Sequence, residues 1–174
     1  MNASFAPARP MRAWPGLSSA GRAPSVPYQR SAFGHDGNIT FATVTDGLSS
    51  TLFLAELRQG AENDIRGMIW TSSAGGGTFC SRFGPNGQKD FYGQPYAGDR
   101  LSQAEICVNE PKLRCVGTGN AVSGYAASRS LHPGGVNVMQ GDGSVRFVKD
   151  TIDLATWIAL NSIGGGELLS ADSL

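Results

Sequence analysis

Few side chains in this sequence are placed to do chemistry, and the best placed is His132, nine residues ahead of Asp142-Gly143. A histidine and an aspartate can act as general base and orienting carboxylate, or as two metal ligands. The surroundings support neither role. No second His, Cys or carboxylate stands at ligand spacing from His132, and His35, the other histidine, is remote and sits among turn residues. Ser130 lies too close along an extended chain to serve as the nucleophile of a triad. No nucleophile elbow or phosphate-binding loop occurs; Gly75-Gly76-Gly77 lacks a following lysine and reads as a linker. Asp142, Asp150, Asp153, Glu167 and Asp172 offer hard oxygens in a Gly-rich C-terminal region. Calcium takes about six to eight oxygens from a folded loop, and no dense acidic loop is present, so these read as solvated carboxylates. No catalytic residue, cofactor or metal site is expected.

The elements around the two residues are sharply patterned. Val136, Val138 and Gln140 fall on one face of a period-two strand, and Val145, Phe147 and Lys149 on one face of the next. Gly141-Asp142-Gly143-Ser144 joins them, with residue types that tolerate positive φ, so a β-hairpin is expected with Asp142 as its turn former. Thr151 or Asp153 can cap a following helix, Leu154, Trp157, Ile158 and Leu160 give it an apolar stripe, and Gly164-Gly165-Gly166 would end it. A helix of about two turns is marginal alone in water, so it must pack on the hairpin, with Trp157 against Phe147. His132 precedes the Pro133-Gly134-Gly135 turn. Its ring is expected to bond backbone where the chain joins the first strand, so replacing it with Ala should lower the melting temperature.

These residues closely resemble a large planctomycete family known as DUF1559, also labelled solute-binding, whose C-terminal signature is named H-X9-DG and is linked to prepilin-type processing. The match runs through Arg129-Ser130 and His132 to Asn137, then Asp142 to Val148, then Ile152-Asp153, Thr156-Trp157, Ala159-Leu160 and Gly165-Gly166-Glu167. A second block resembles the family from Val44 through Asp46-Gly47 to Glu56, with departures at Leu48 and Ser50, and Gly84-Pro85-Asn86 is a weaker third match. The resemblance implies that His132, Asp142, Gly143, Asp46, Gly47, Glu56 and Trp157 are structural determinants. It implies the globular head of a pseudopilin, a non-catalytic cell-envelope protein acting by assembly or surface display with pseudopilin-like partners. The family's long apolar stalk helix has no counterpart here, since the apolar runs fall far short of the roughly 20 residues that span a bilayer. A shortened member is therefore expected, with its membrane attachment missing.

Composition bounds the rest. The chain has 174 residues, 40% hydrophobic and 16% charged, with 24 glycines, enough for one modest core with many turns. Its 14 basic and 14 acidic residues balance, so no basic field points to nucleic acid or anionic lipid. Residues 1–30 hold five of nine prolines and four arginines and no acid, and read as a disordered or non-native leader; residues 31–174 read as the globular domain. Cys107 and Cys115 flank a polar loop that a disulfide would close in an exported protein, leaving Cys80 odd; three reduced thiols is the other state the sequence allows. Ile39, Phe41 and Val44 suggest a short strand. The Leu52-Phe53-Leu54-Ala55 run suggests a buried one, and Met68-Ile69-Trp70 a third, antiparallel to it. Residues 72–128 are loop-like, with Phe79, Phe83, Phe91, Tyr92 and Tyr96 scattered among turn residues. These aromatics fill satellite clusters or, in the alternative reading, line an extracellular solute- or glycan-binding surface. The expected fold is α+β, dominated by an antiparallel sheet with a short C-terminal helix.

Overall fold

The C-terminal hairpin forms as its alternation dictates. Strand β5 (Gly135–Gln140) pairs antiparallel with β6 (Val145–Lys149), with Val136 opposite Val148 and Asn137 opposite Phe147. The other edge of β5 pairs antiparallel with β2 (Leu52–Ala55), through a register shift between Leu52 and Leu54. A two-residue β1 (Asn2–Ala3) pairs with β2, giving the order β1-β2-β5-β6. A separate parallel pair joins β3 (Asp99–Leu101) to β4 (Cys115–Gly117). Helix α1 (Leu154–Leu160) follows the hairpin. The computed structural model describes residues 2–3, 31–33, 39–71, 73–88, 90, 98–119 and 124–165. It is α+β and mainly antiparallel, as expected. Among the described residues no long helix precedes the sheet, and no helix is long and apolar enough to cross a membrane. His35, Phe91, Tyr92, Tyr96, Glu167 and Asp172 lie outside the described residues, as do all of 1–30 but Asn2 and Ala3.

The facing of β6 corrects one expectation. Val145 and Phe147 are 58% and 43% exposed, whereas Val148 is fully buried. Register explains this. Val136 and Val138 point into the core, and their cross-strand partners are Val148 and Arg146, so Phe147 stands on the outer face beside Asn137. Trp157 therefore does not meet Phe147. Its ring lies 6.0 Å from Phe79, and its Nε1–H donates to the Phe83 carbonyl at 2.9 Å. Together with Leu52, Ala55, Val136, Val138, Val148, Ile152 and Leu160 these rings build the main core. Phe79 and Phe83 are thus core residues.

Asp153 caps α1 by accepting from the Thr156 amide at 3.1 Å. The helix stops earlier than the glycines suggested. Asn161 ends it in a non-left-handed conformation, its side chain donating to the Trp157 carbonyl at 2.7 Å.

Two other expected strands are absent. Phe41–Thr43 is a 3-10 turn, closed by Thr40 and Thr43 bonding each other. Met68-Ile69-Trp70 lies in tight turns, with Met68 N–H bonded to Ile65 and Thr71 N–H to Met68, and Ile69 and Trp70 are 71% and 80% exposed. Hydrophobic type alone cannot distinguish a strand from a turn when local bonding and positive-φ Gly67 curl the chain.

Candidate functional site

The chain leading into β5 sets the geometry of the His132 site. Ser130 Oγ donates to the Gly135 carbonyl at 2.6 Å and accepts from the His132 amide at 3.1 Å. Its hydroxyl is thus spent on a turn. That turn places the imidazole, 53% exposed, over the end of β2. His132 Nε2 lies 3.2 Å from Glu56 Oε1 and 3.1 Å from Asn137 Nδ2. Asn137 Nδ2 donates to that same oxygen at 3.0 Å, and the Asn137 amide donates to Glu56 Oε2 at 2.9 Å. A carboxylate can only accept, so the consistent assignment has His132 Nε2–H donating to Glu56 beside the Asn137 amide. The Phe147 ring meets the imidazole edge-on at 6.4 Å. The expectation that the ring bonds backbone is corrected: its partners are side chains, because Glu56 already occupies the backbone donor at the strand end.

Glu56 is the centre of this cluster. Its backbone N–H reaches the Asn137 carbonyl, and its carbonyl accepts from Arg129 N–H at 2.8 Å. Partial burial opposes its charge, but the Asn137 amides and His132 outweigh it and hold the carboxyl below its ordinary range. A depressed carboxyl stabilises the fold above its ordinary value of 4.5, and that stabilisation is lost as pH falls through the folded value. Glu56→Ala is expected to cost about 1–3 kcal/mol, because the Asn137 amide loses its acceptor. His132→Ala should cost about 0.5–1 kcal/mol, as befits a half-exposed contact. Urea melts check both, and Glu56→Gln should flatten the decline below pH 5. Equal stability of Glu56→Ala and wild type would refute the clamp.

Asp142 sits at the other end of the hairpin, roughly 20 Å away along six residues of strand. Its Oδ1 accepts from the Ser144 amide at 2.9 Å and the Ser144 hydroxyl at 2.7 Å. These bonds lower its carboxyl below the ordinary range. Gly143, at φ +86°, completes the turn. The turn is tied to the segment before β2, since Gly141 N–H donates to Thr51 and Asp142 N–H to Leu48. The structure thus separates His132 from Asp142 and joins His132 to Glu56.

Asp46 does a third fastening job. Its Oδ2 accepts from Ser162 Oγ at 3.1 Å and from Gly165 N–H at 2.8 Å, while Thr45 N–H donates to Ile163 at 2.8 Å. The turn through Gly47, at φ +91°, therefore holds the chain leaving α1.

Asn86 is the residue that sequence reasoning undervalued. It adopts φ +55° inside the 3-10 turn Pro85–Gly87. Its side chain donates to Asp150 Oδ1 at 2.8 Å and accepts from Ser130 N–H at 2.9 Å. Its carbonyl accepts from Arg129 Nη1 at 2.6 Å. The Gly84-Pro85-Asn86 signal was present, but its partners are more than forty residues distant.

Arg129 leads to a buried ionic network no spacing announced. Its Nη2 donates to Asp99 Oδ1 at 2.8 Å, and Arg66 Nη1 donates to Asp99 Oδ2 at 3.2 Å. Arg66 also makes two bonds to the Asp64 carboxylate, at 2.9 and 2.6 Å. Burial pushes the Asp99 carboxyl up to about 6 despite the Ala127 amide and the Arg66 guanidinium, and burial draws Arg129 down to about 10. For Asp64, burial is outweighed by its bonds to Arg66 and Val108, and its carboxyl is lowered.

Cys107 and Cys115 form the disulfide that was one of the two states the sequence allowed, and Cys80 is free, its thiol raised by burial. Beside the disulfide lies a shallow depression of about 570 Å³ lined by Asn109, Glu110, Pro111, Lys112, Arg114, Cys115 and Val116, none of them aromatic. No cluster of three or more metal-binding side chains occurs among the described residues.

A family model described as a protein of unknown function, DUF1559, matches residues 9–155. That span includes His132, Asp142-Gly143, Asp46, Glu56 and Asn86. Searches of curated proteins and of solved structures returned no significant match.

Proposed function

The chain belongs to the DUF1559 family, and from that premise we propose that it is a non-catalytic protein of the cell envelope, resembling a pseudopilin head, that acts by assembly or surface display. The observation that carries this reading is how the signature is spent. His132 closes on Glu56 and Asn137, Asp142 closes the opposite end of the hairpin, and Asp46 fastens the chain after α1. Such residues maintain a shape for others to contact. The disulfide favours an oxidising compartment.

The reading is tested in the organism that makes the protein, by cell fractionation combined with thiol alkylation before and after reduction. The chain should co-fractionate with the envelope, with Cys107 and Cys115 alkylated only after reduction, and in-cell cross-linking should join it to envelope proteins. Recovery from the cytosol with both thiols already reactive would overturn it.

A further inference from the structure

The disulfide and the buried Arg66 belong to one device. Cys107 and Cys115 are eight residues apart and close the loop between them. Three carbonyls of that loop converge on the Arg66 guanidinium: Val108 accepts from Nη2 at 2.8 Å, and Leu113 and Arg114 accept from Nη1 at 3.0 and 3.1 Å. Asp64 Oδ2 accepts from the Val108 amide at 2.9 Å, so the ion pair grips the loop by both backbone polarities. Arg58 holds the outside through Glu110 and the Pro111 carbonyl, each at 3.2 Å.

Apart from the cross-link, the Arg66 cage and the fully buried Leu113, few bonds order the loop. Its internal backbone bonding is the Glu110–Leu113 pair, and Lys112 carries a positive φ of +63°. Side-chain support comes from Asn109 Oδ1, which accepts from Cys115 N–H. Three carbonyls aimed at one cation repel one another without it. A buried guanidinium in turn needs all of its acceptors. Opening the loop frees its ends, and chain entropy then disfavours the closed form by roughly fiftyfold to hundredfold.

The loop stands apart from the main core, which draws no residue from 104–118, and its strand β4 pairs with β3 rather than with the four-stranded sheet. Asp99 retains Arg129 and the Ala127 amide as partners independent of the loop.

We propose that the Cys107–Cys115 disulfide is a redox lock on the Arg66 cage: its reduction releases the 107–115 loop and exposes the guanidinium while the sheet and α1 stay folded. A dithiol supplies the reduction. One of its thiolates attacks a disulfide sulfur, the second thiolate closes the reagent's own disulfide, and Cys107 and Cys115 leave as two thiols. Cys107 is the partly buried residue of the pair and Cys115 the buried one.

The loop carries its own reporters, since Lys112 and Arg114 are exposed trypsin sites, and Arg146 and Lys149 report on β6. Brief trypsin digestion of the whole protein, with and without dithiothreitol, is read by mass spectrometry. Reduction should speed cleavage after Lys112 and Arg114 by about fiftyfold and leave cleavage after Arg146 and Lys149 unchanged. Arg66→Lys, which loses the forked geometry, should speed loop cleavage in the oxidised protein and add little once the disulfide is reduced. Unchanged loop cleavage on reduction would overturn the lock. So would simultaneous cutting at β6, which would make the disulfide a staple of the entire fold, or equal effects of Arg66→Lys in both redox states.

Discussion

Trp157→Ala is expected to remove about 3–5 kcal/mol of stability, the range for deleting a large aromatic from a packed core. The ring is fully buried, lies near Phe79, and with Leu160 carries α1 into the main core. A helix of seven residues has little stability of its own. Losing its anchor should therefore release the helix and, with it, the Ser162–Gly165 contacts to Asp46. Trp157→Phe separates packing from bonding. It keeps most of the ring and leaves the Phe83 carbonyl without the indole donor, so about 1–3 kcal/mol should be lost. Denaturant melts, with amide exchange read over 154–165, check both substitutions. If Trp157→Ala melts with wild type, the indole does not hold the two parts together.

Arg66→Met should be as damaging, at about 3–5 kcal/mol, because it strands Asp64 in the interior and takes one of two guanidiniums from Asp99. Arg66→Lys cannot restore the forked bonds to Asp64, Asp99 and the loop carbonyls. The network also sets a pH dependence of unusual sign. The Asp99 carboxyl is raised to about 6 from an ordinary 3.8. Between those values the folded chain holds a proton that the unfolded chain has released, so this group's contribution to stability falls as pH rises across that window. Glu56 and Asp64 are lowered and act in the opposite direction, at more acid pH. Wild type should therefore lose about 1–3 kcal/mol more than Asp99→Asn between pH 4 and 6.5. Parallel stability profiles for the two proteins would sink this account.

Much of the local structure was legible in the order of residues. The hairpin follows from valines at alternate positions around Gly141-Asp142-Gly143-Ser144, and the start of α1 from Asp153. Asp142 as a turn former was equally readable, since its partner Ser144 is two residues on. Each of these depends on groups within a few residues of one another, where spacing alone determines geometry. The readings that failed needed a fact about register or about a distant segment. Phe147 and Val148 differ by one position, and only pairing with β5 decides which turns inward. Met68-Ile69-Trp70 has strand-forming types but is bonded into turns.

Sequence by itself thus determined the ribbon, its turn, the helix cap and a family signature, because local sterics and hydrogen bonding specify those without help from the rest of the chain. Tertiary structure alone decided what the signature residues touch. Glu56 meets His132 across 76 positions, Arg66 meets Asp99 across 33, and Trp157 reaches Phe83 across 74. Buried charges and strand-end carboxylates take whichever partners the closed core brings within bonding distance, and linear spacing does not encode that choice.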